Sequence, residues 1–339
     1  MKTSLIITLK NEELTILTLL KTIVKQSKKP DELVIVDGGS TDNTVNLINT
    51  FMRNKKIPIK ILIKINTNIA KGRNIAIKNA KYDLIVGTDG GCRLDKEWLK
   101  NITKPFENNE ELEVVFGWTK VIGKSFVGKC LAGFISVNEL SARSVAIEKT
   151  AWKKVGLSAR SVAFKKTAWK KVGGYPEWLT LAGEDALFFL NLERECKCLI
   201  SKSAIVFWEH GRETLHKIYR MFYAYGIGEA EAKTNPGRIP LLLALCLLGI
   251  LLFFIGLVFY PLLSFVCIFI ALPYFLRGTI RAYEETHSYK VFLVMPFVVL
   301  TRGLGISGGY LKVTLKRFKK NNKSIRKLVL NKIRNIKKI

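Results

Sequence analysis

The sequence of 339 residues lacks several signatures of common protein classes. No G-x-G-x-x-G motif follows either of its first two predicted strands, which argues against a dinucleotide-binding protein. Among the six cysteines, Cys196 and Cys198 are closely spaced, but no second pair accompanies them to complete a zinc site. A cytoplasmic domain would keep these cysteines reduced. We also expect no cleavable signal peptide before Ser4.

Acidic residues are scarce, with 27 Asp and Glu against 55 Lys and Arg, and Ile239–Leu276 contains no charged residue. One helix of that length would measure about 57 Å, whereas the hydrocarbon core of a bilayer is about 30 Å thick. Two membrane spans at about 240–259 and 262–276, joined by a tight turn at Tyr260-Pro261, fit this length better. A buried helix pair in a soluble protein is the alternative, which the length and the lack of charge disfavour.

Two further C-terminal segments are predicted to lie at the membrane surface. A third apolar stretch, 291–306, contains Pro296 and is predicted to be interfacial or re-entrant. The tail, 311–339, contains twelve Lys and Arg and no acid from Lys312 onward. Its apolar residues share one helical face, which favours binding to anionic lipid over binding to nucleic acid. The positive-inside rule places this tail in the cytoplasm, and two spans then place the N-terminal domain on the same side of the cell membrane.

The first part of the chain has the pattern of alternating strands and helices. Ser4–Thr8 and Leu33–Val36 are apolar runs typical of buried strands, and an amphipathic helix that opens at Asn11-Glu12 separates them. This order predicts a right-handed parallel unit. The second strand ends at Asp37 and Gly38, and ligands of open α/β sheets bind beyond the carboxyl ends of strands. The alternative is a plain turn in which Asp37 caps the next helix.

Two later segments carry polar residues that suit the same chemistry. The predicted strand Leu84–Val86 is followed by Asp89, and Arg73 lies upstream of it. Arg73 suits a phosphate group, but the sequence is equally compatible with a solvated surface arginine. Farther along, Glu184 and Asp185 open a predicted helix. Such acids either favour the positive end of the helix dipole or accept a proton from an attacking hydroxyl group.

Together these segments resemble the family 2 glycosyltransferases, which have the GT-A fold and use nucleotide-sugars. The resemblance covers residues 3 to about 230. It implies a donor that carries UDP rather than GDP, and a divalent cation, Mg²⁺ or Mn²⁺, held by Asp89. It also implies that Asp185 is the general base and that Arg160 and Glu184 lie on the acceptor or diphosphate side. The residues implied to contact the nucleotide-sugar are Glu12, Asp37, Gly38, Arg73 and Asp89.

The sequence departs from the family pattern at several points. Thr8-Leu9-Lys10 replaces the usual proline-containing tripeptide before the asparagine–glutamate pair. Gly91 stands where most members have the second aspartate of D-x-D, as in a subgroup with the sequence T-D-A-G-C-R-L-D. The Q-x-x-R-W motif of processive polysaccharide synthases is missing. His210 resembles the late histidine that completes the metal shell in some GT-A enzymes, although an exposed loop histidine is the favoured interpretation.

One segment of the sequence is duplicated in tandem. Residues 140–156 are followed directly by a near-identical copy, 157–173. The second copy joins Gly174 directly, so we assign it the native place, which makes Arg160 rather than Arg143 the predicted site residue. The junction before the first copy looks equally native, so the first copy stays an alternative.

The predicted fold class is α/β. A GT-A domain with a Rossmann-like, mostly parallel sheet spans residues 1–232, a helical membrane region with a hairpin spans 233–310, and a basic cytoplasmic tail spans 311–339. The implied activity is inverting transfer of a sugar from a nucleotide-sugar to a lipid-linked or cell-envelope glycan acceptor. The rival hypothesis is a non-catalytic membrane scaffold that keeps the GT-A fold with a degraded metal motif. The presence of Asp185 together with Asp89 disfavours this rival.

Overall fold

A single sheet organises the N-terminal part of the molecule. The computed structural model describes residues 1–53, 55–136, 158–233 and 238–336, so the first duplicated copy and Arg143 lie outside the described residues. The strands are β1 (Thr3–Leu9), β2 (Glu32–Asp37), β3 (Ile59–Ile63), β4 (Leu84–Asp89), β5 (Cys92–Leu94), β6 (Val114–Ile122), β7 (Val162–Lys165) and β8 (Cys198–Glu209). Within the described ranges their order in the sheet is β3-β2-β1-β4-β7-β6-β8-β5.

One half of this sheet is parallel and the other half is mixed. β3, β2, β1 and β4 run parallel, and for β1 and β2 the strand–helix–strand pattern predicts this. β7 runs antiparallel to both β4 and β6, and β5 runs antiparallel to β8. β6 and β8 run parallel. Four of the seven strand pairs in the described sheet are therefore parallel, and the three antiparallel pairs all involve β7 or β5.

The register of the parallel half brings two acids to one edge of the sheet. In the alignment of β1 with its neighbours, Leu9 pairs with Asp37 and Thr8 pairs with Asp89. Both acids therefore lie at carboxyl ends of strands, one on each side of β1. The strands are buried on both faces, because alternate residues such as Ile6 and Ile7 belong to different hydrophobic clusters.

Helices cover the sheet and continue into the C-terminal part of the chain. They are α1 (Ile16–Val24), α2 (Thr44–Met52), α3 (Ile69–Asn79), α4 (Trp98–Asn108), α5 (Phe126–Ile135), α6 (Lys166–Lys171), α7 (Glu184–Glu195), α8 (Leu215–Ala232), α9 (Arg238–Phe259), α10 (Pro261–Thr286) and α11 (Val291–Ile336). Asn68, Ser125 and Thr214 each cap a helix by accepting a hydrogen bond from a backbone N–H three residues later.

The charge-free segment forms α9 and the first part of α10. α9 ends at Phe259 and α10 begins at Pro261, so the predicted turn coincides with a helix boundary. α10 continues to Thr286, well beyond the predicted end of the second span at 276. Its last turns are amphipathic rather than membrane-like, because Ala282 packs in the main hydrophobic cluster while Ile280 is exposed.

The segments 291–306 and 311–339, predicted to be separate, belong largely to one helix. α11 continues from Val291 through Pro296 to Ile336. Its first turns are held by packing, since Val291 and Met295 are fully buried in the main cluster, and this packing overrides the loss of one backbone hydrogen bond at the proline. Among the described residues, Val291–Lys319 is the helical segment that is long and apolar enough to cross a membrane.

α8 and α11 approach each other so closely that glycine is required on both helices. A Cβ atom on Gly226 would lie 2.1 Å from the carbonyl oxygen of Ile306, and one on Gly309 would lie 2.1 Å from that of Tyr223. Small residues permit this type of close helix packing. By contrast, a Cβ atom on Gly303 of the same helix would meet nothing within 4 Å.

This contrast predicts different effects for two equivalent substitutions in α11. Gly309→Ala should lower the free energy of unfolding by about 1–3 kcal/mol, because the added methyl group overlaps the α8 backbone. Gly303→Ala should be neutral or stabilising, since alanine is the better helix former by about 0.5–1 kcal/mol. Thermal unfolding in detergent would measure both effects. Equal melting temperatures for the two variants would contradict the close contact.

Candidate active site

A buried arginine joins three elements at the carboxyl edge of the parallel strands. Arg73 projects from α3, and its two terminal nitrogens lie 2.9 Å from Asp89 Oδ1 and 2.7 Å from Glu184 Oε1. Its guanidinium also lies over the ring of Tyr175, 5.3 Å from the centroid. Arg73 is therefore not the solvated surface arginine that the sequence allows. It holds the end of β4 against the start of α7.

The charges of this network shift the pKa values of its members. Burial alone would raise the pKa of the Asp89 carboxyl, but Arg73 and Arg160 outweigh it and hold this pKa below its usual range. Burial raises the pKa of Glu184, and the nearby charge of Asp185 adds to this rise against the opposing effect of Arg73. Asp89 is thus an anion at neutral pH, stabilised by two guanidinium groups.

Glu184 and Asp185 have different surroundings although they are adjacent in sequence. Glu184 is buried and paired with Arg73. Asp185 is partly exposed, and its Oδ1 accepts a hydrogen bond from the backbone N–H of Ala186. The helix begins after Gly183, whose φ of 91° lies in the left-handed region that favours glycine. Of the two acids, Asp185 is therefore the one that a substrate can reach.

The loop around Asp37 is held by hydrogen bonds within the loop. The Asp37 carboxylate accepts hydrogen bonds from the backbone N–H groups of Gly39, at 2.9 Å, and Ser40, at 2.8 Å. A Cβ atom on Gly38 would lie 3.4 Å from the carbonyl oxygen of Thr67, so the chain packs tightly there. Asn43, rather than Asp37, is the residue before α2. Asp37 thus orders the turn on the far side of β1 from Asp89.

A tryptophan and two arginines lie on the other side of Asp89. Arg160, in the turn before β7, has its Nε atom 3.7 Å from Asp89 Oδ2. Its guanidinium carbon stacks 3.5 Å from the ring centroid of Trp208, at the end of β8. Arg212, in the loop after β8, lies 5.3 Å from the same centroid. Trp208 and Arg212 were not predicted as site residues, since no sequence motif marks them.

His210 does not have the environment of a metal ligand. It is almost fully buried, its Nε2 lies 3.1 Å from the carbonyl oxygen of Gly128, and its Nδ1 accepts a hydrogen bond from the backbone N–H of Arg212. Burial lowers the pKa of this imidazole. Because both ring nitrogens are occupied, His210 shapes the loop. The interpretation as an exposed loop histidine is also wrong.

The surroundings of Asp89 fit a divalent cation whose ligands come partly from a substrate. A Cβ atom on Gly91 would have a single neighbour within 4 Å, Glu12 Oε2 at 3.9 Å, so the position of the missing aspartate is open. No group of three His, Cys, Asp or Glu side chains that could hold a metal occurs in the described part of the chain. Mg²⁺ is commonly held by one or two carboxylates together with substrate phosphates, which Asp89 and Glu12 would permit.

Two cavities of very different size adjoin the network of Arg73, Asp89 and Glu184. A cavity of about 10 Å³ is lined by Thr8, Thr88, Arg73 and Tyr175 among others. Among the described residues, the buried hydroxyl groups of both threonines have no hydrogen-bond partner. A groove of about 620 Å³ lies outside it, between α3, α6 and α7, and includes the exposed Trp178. Tyr175 lines both spaces, so it separates the groove from the buried arginine.

The N-terminal sequence matches a known family. Residues 4–154 match the model of the family described as Glycosyl transferase family 2. The match covers 151 of the 339 residues, less than half of the chain, and it marks an N-terminal segment that is similar to this family. The relatives include the poly-beta-1,6-N-acetyl-D-glucosamine synthase of Staphylococcus epidermidis, which is 25% identical over 164 residues, covering 43% of this chain and 39% of that protein. The chain thus spans about two fifths of the length of this relative.

Two further comparisons extend this result. The poly(ribitol-phosphate) beta-N-acetylglucosaminyltransferase TarS of Staphylococcus aureus is 31% identical over 103 residues, covering 30% of this chain and 18% of that protein. The fold is similar to that of the mannosyltransferase PcManGT from Pyrobaculum calidifontis, solved with GDP-Man and Mn²⁺. That comparison gives a TM-score of 0.55 at 14% identity and covers 92% of this chain and 87% of the other. The mixed α/β, Rossmann-like sheet therefore has GT-A structural neighbours, as the sequence predicts.

The buried arginine of this domain should be important for stability. Arg73→Met keeps most of the side-chain volume but leaves Asp89 and Glu184 without their shared partner. Because breaking a buried pair typically costs 3–5 kcal/mol, we expect a loss of about that size in urea unfolding at pH 7. Lys71→Met, at an exposed position of the same helix, is the matched control.

The loss should also depend on pH. The pKa of Asp89 is lowered in the folded protein, so its contribution to stability is present above the unfolded pKa of about 3.9 and disappears as the pH falls through the folded value. The difference in the free energy of unfolding between Arg73→Met and the unchanged protein should therefore become smaller in strong acid. A constant difference down to pH 2 would show that the pairing with Asp89 is not its source.

The duplicated segment offers a second matched pair. The family match ends at residue 154, inside the first copy, whereas Arg160 of the second copy lies beside Asp89. If the second copy has the functional role, Arg160→Ala should impair sugar transfer by tenfold or more, as expected for a charged group at the reacting centre. Arg143→Ala should not impair sugar transfer, and a variant that lacks residues 140–156 should remain active. The opposite result for the two arginines would assign the site to the first copy.

Proposed function

We propose that this chain is a membrane-anchored glycosyltransferase that moves a sugar, with inversion, from a nucleoside-diphosphate sugar to a lipid-linked or cell-envelope glycan acceptor. One observation carries the proposal. In a family 2 domain, Asp89 lies at the carboxyl end of β4 in contact with two arginines, and the partly exposed Asp185 opens the helix that Arg73 ties to it. This is the edge of the sheet at which α/β proteins bind ligands.

The donor that we favour is UDP-N-acetylglucosamine. The names of two relatives contain N-acetylglucosamine. One is a poly-N-acetylglucosamine synthase and the other is an N-acetylglucosaminyltransferase. Asp37 and Gly38 are proposed to contact the base, in the turn that Asp37 orders on the far side of β1. The diphosphate would then extend across the end of β1 toward Asp89, with Glu12 beside its path.

The residues of the chain account for each part of the transfer. A divalent cation, Mg²⁺ or Mn²⁺, held by Asp89 would offset charge on the departing diphosphate. Arg73 and Arg160 keep Asp89 ionised and add positive charge at the same place. The oxygen of the acceptor hydroxyl forms a bond to the anomeric carbon, and the bond between that carbon and the diphosphate breaks. Asp185 accepts the proton that the hydroxyl loses in this step.

The acceptor is proposed to approach from the side of the groove between α3, α6 and α7. Leu187 and Asn191 of α7, the helix whose first turn contains Asp185, line this groove. Its exposed Trp178 offers a flat apolar surface, and Glu177 and Asn191 offer polar groups, a combination that suits a sugar chain.

Membrane attachment is proposed for α9 and the first part of α10. α9 has 22 residues and would be about 33 Å long, which matches the hydrocarbon core of a bilayer. Many apolar side chains of this region are exposed, Phe259 and Leu262 among them. We propose that α11 packs against α8 and the main hydrophobic cluster instead of crossing the bilayer. The hairpin would then leave both the N-terminal domain and the basic tail in the cytoplasm, where nucleotide-sugars are found.

Product formation tests the whole proposal. The full chain, purified in detergent, should release UDP from UDP-N-acetylglucosamine and attach the sugar to an endogenous lipid or glycan extract. GDP-mannose is the comparison donor. Release of neither nucleotide, by a protein that still binds UDP, would favour the scaffold hypothesis over an enzyme.

Loss of the Asp89 carboxylate should abolish metal-dependent turnover. Asp89→Ala removes the proposed cation ligand, and Gly91 provides no second acid to replace it. Asp83→Ala, at the exposed amino end of the same strand, should retain activity. EDTA should inhibit the unchanged protein, and added Mn²⁺ should restore it. Full activity of Asp89→Ala, or turnover insensitive to EDTA, would contradict the assignment of the cation.

Replacement of the proposed base should slow transfer without removing the donor. Asp185→Asn keeps the shape of the side chain but not its basicity, so we expect the rate to fall by about a hundredfold or more. UDP affinity should change little. Glu195→Gln, at the exposed far end of α7, is the control. A collapse of donor affinity with a preserved residual rate would identify Asp185 as a donor ligand instead.

A further inference from the structure

The end of β8 presents a flat aromatic ring to two arginines from different loops. Arg160 comes from the turn before β7 and Arg212 from the loop after β8, and both guanidinium groups lie within 5.3 Å of the Trp208 centroid. The second loop is fixed, because His210 accepts a hydrogen bond from the Arg212 backbone N–H and its carbonyl oxygen accepts one from the Arg212 side chain. These two cations are therefore held in place by the fold.

Arg160 lacks a hydrogen-bond partner that its burial requires. Its Nε atom is buried and donates no hydrogen bond to any atom of the residues that the structure describes. Asp89 Oδ2, at 3.7 Å, is close enough for charge attraction but too far for a hydrogen bond. The other oxygen of Asp89 is already bonded to Arg73. A buried charged donor in this state is unfavourable unless another acceptor completes it.

The surrounding charge also favours an anion. Burial lowers the pKa of Arg212, and the nearby charge of Arg160 lowers it further, although Tyr225 and Glu12 oppose this. The single negative charge of Asp89 is shared between two cations, Arg73 and Arg160. An added negative group between Arg160 and Arg212 would relieve the repulsion between them.

The geometry of stacking selects the type of anion. A guanidinium presents its N–H donors as a planar fork, and such a fork matches the oxygens of phosphate. We propose that Arg160 and Arg212, supported by Trp208, form a phosphate-binding subsite beside Asp89. This inference rests on the proposed function, because the phosphate belongs either to the donor diphosphate or to a phosphorylated acceptor.

The neighbouring residue of β8 provides a matched control. Arg93 of β5 stacks on Phe207, 4.1 Å from its centroid. Phe207 and Trp208 are adjacent in the strand, so their rings lie on opposite faces of the sheet. Arg93→Gln therefore removes a stacked arginine of the same strand pair without touching the proposed subsite.

The test measures binding rather than turnover, in the full chain purified in detergent. Pyrophosphate is the probe for the subsite, and its binding is measured by calorimetry. We expect Arg212→Gln to weaken its binding tenfold or more, Arg212→Lys to weaken it less, and Arg93→Gln to leave it unchanged. Equal pyrophosphate affinity in Arg212→Gln and Arg93→Gln would overturn the proposal. If Arg212→Gln does not fold, Arg212→Lys decides, because it keeps the charge but loses the planar fork, and unchanged affinity in it would overturn the proposal.

Two more probes identify the source of the phosphate. Weaker binding of UDP with unchanged binding of uridine would assign the subsite to the donor diphosphate. Unchanged UDP binding with weaker binding of decyl phosphate in the micelle would assign it to a phosphorylated acceptor. Both results support the subsite. Because no sugar transfer is measured, failure of the proposed enzymatic activity would appear separately, as pyrophosphate binding without turnover.

Discussion

The arrangement of the site depends on one buried guanidinium. Arg73 contacts both Asp89 and Glu184, which belong to elements far apart in the sequence. Without it, two carboxylates would face each other in a desolvated space, which is strongly unfavourable. The charge of Arg73 lets β4, α3 and α7 meet at one edge of the sheet. It also keeps the proposed cation ligand ionised, so the same contact serves stability and function.

The C-terminal helices are connected to this edge by direct packing. The N–H and hydroxyl groups of Thr180 donate hydrogen bonds to Glu231 of α8, both at 2.8 Å. A Cβ atom on Gly228 would lie 2.1 Å from the carbonyl oxygen of Ala182, just before Gly183. α8 therefore contacts the start of the helix that carries Asp185 on one side and α11 on the other. Packing contacts therefore connect the proposed base, through α8, to the apolar C-terminal helix α11.

Local sequence patterns were sufficient for the parallel pair of β1 and β2, for β4, and for the positions of Asp37 and Asp89 at the ends of strands. Those predictions depend on short apolar runs that end in polar residues. β3 and the order of the strands in the sheet were not predicted. The pairing of Arg73 with Glu184 and the stacking of Arg212 on Trp208 depend on contacts between distant segments, which no local pattern encodes. The continuity of α11 through Pro296 was missed for a similar reason, because tertiary packing outweighs the local helix-breaking tendency.

The length of α11 has a mechanical consequence. From Arg317, whose Nη2 donates a hydrogen bond to the Glu231 carbonyl oxygen of α8, the helix continues to Ile336, a length of about 28 Å at 1.5 Å per residue. α8 in turn packs against Ala182, just before the helix that carries Asp185. A surface that bound the basic end of α11 would therefore transmit force through α8 to the packing beside Asp185.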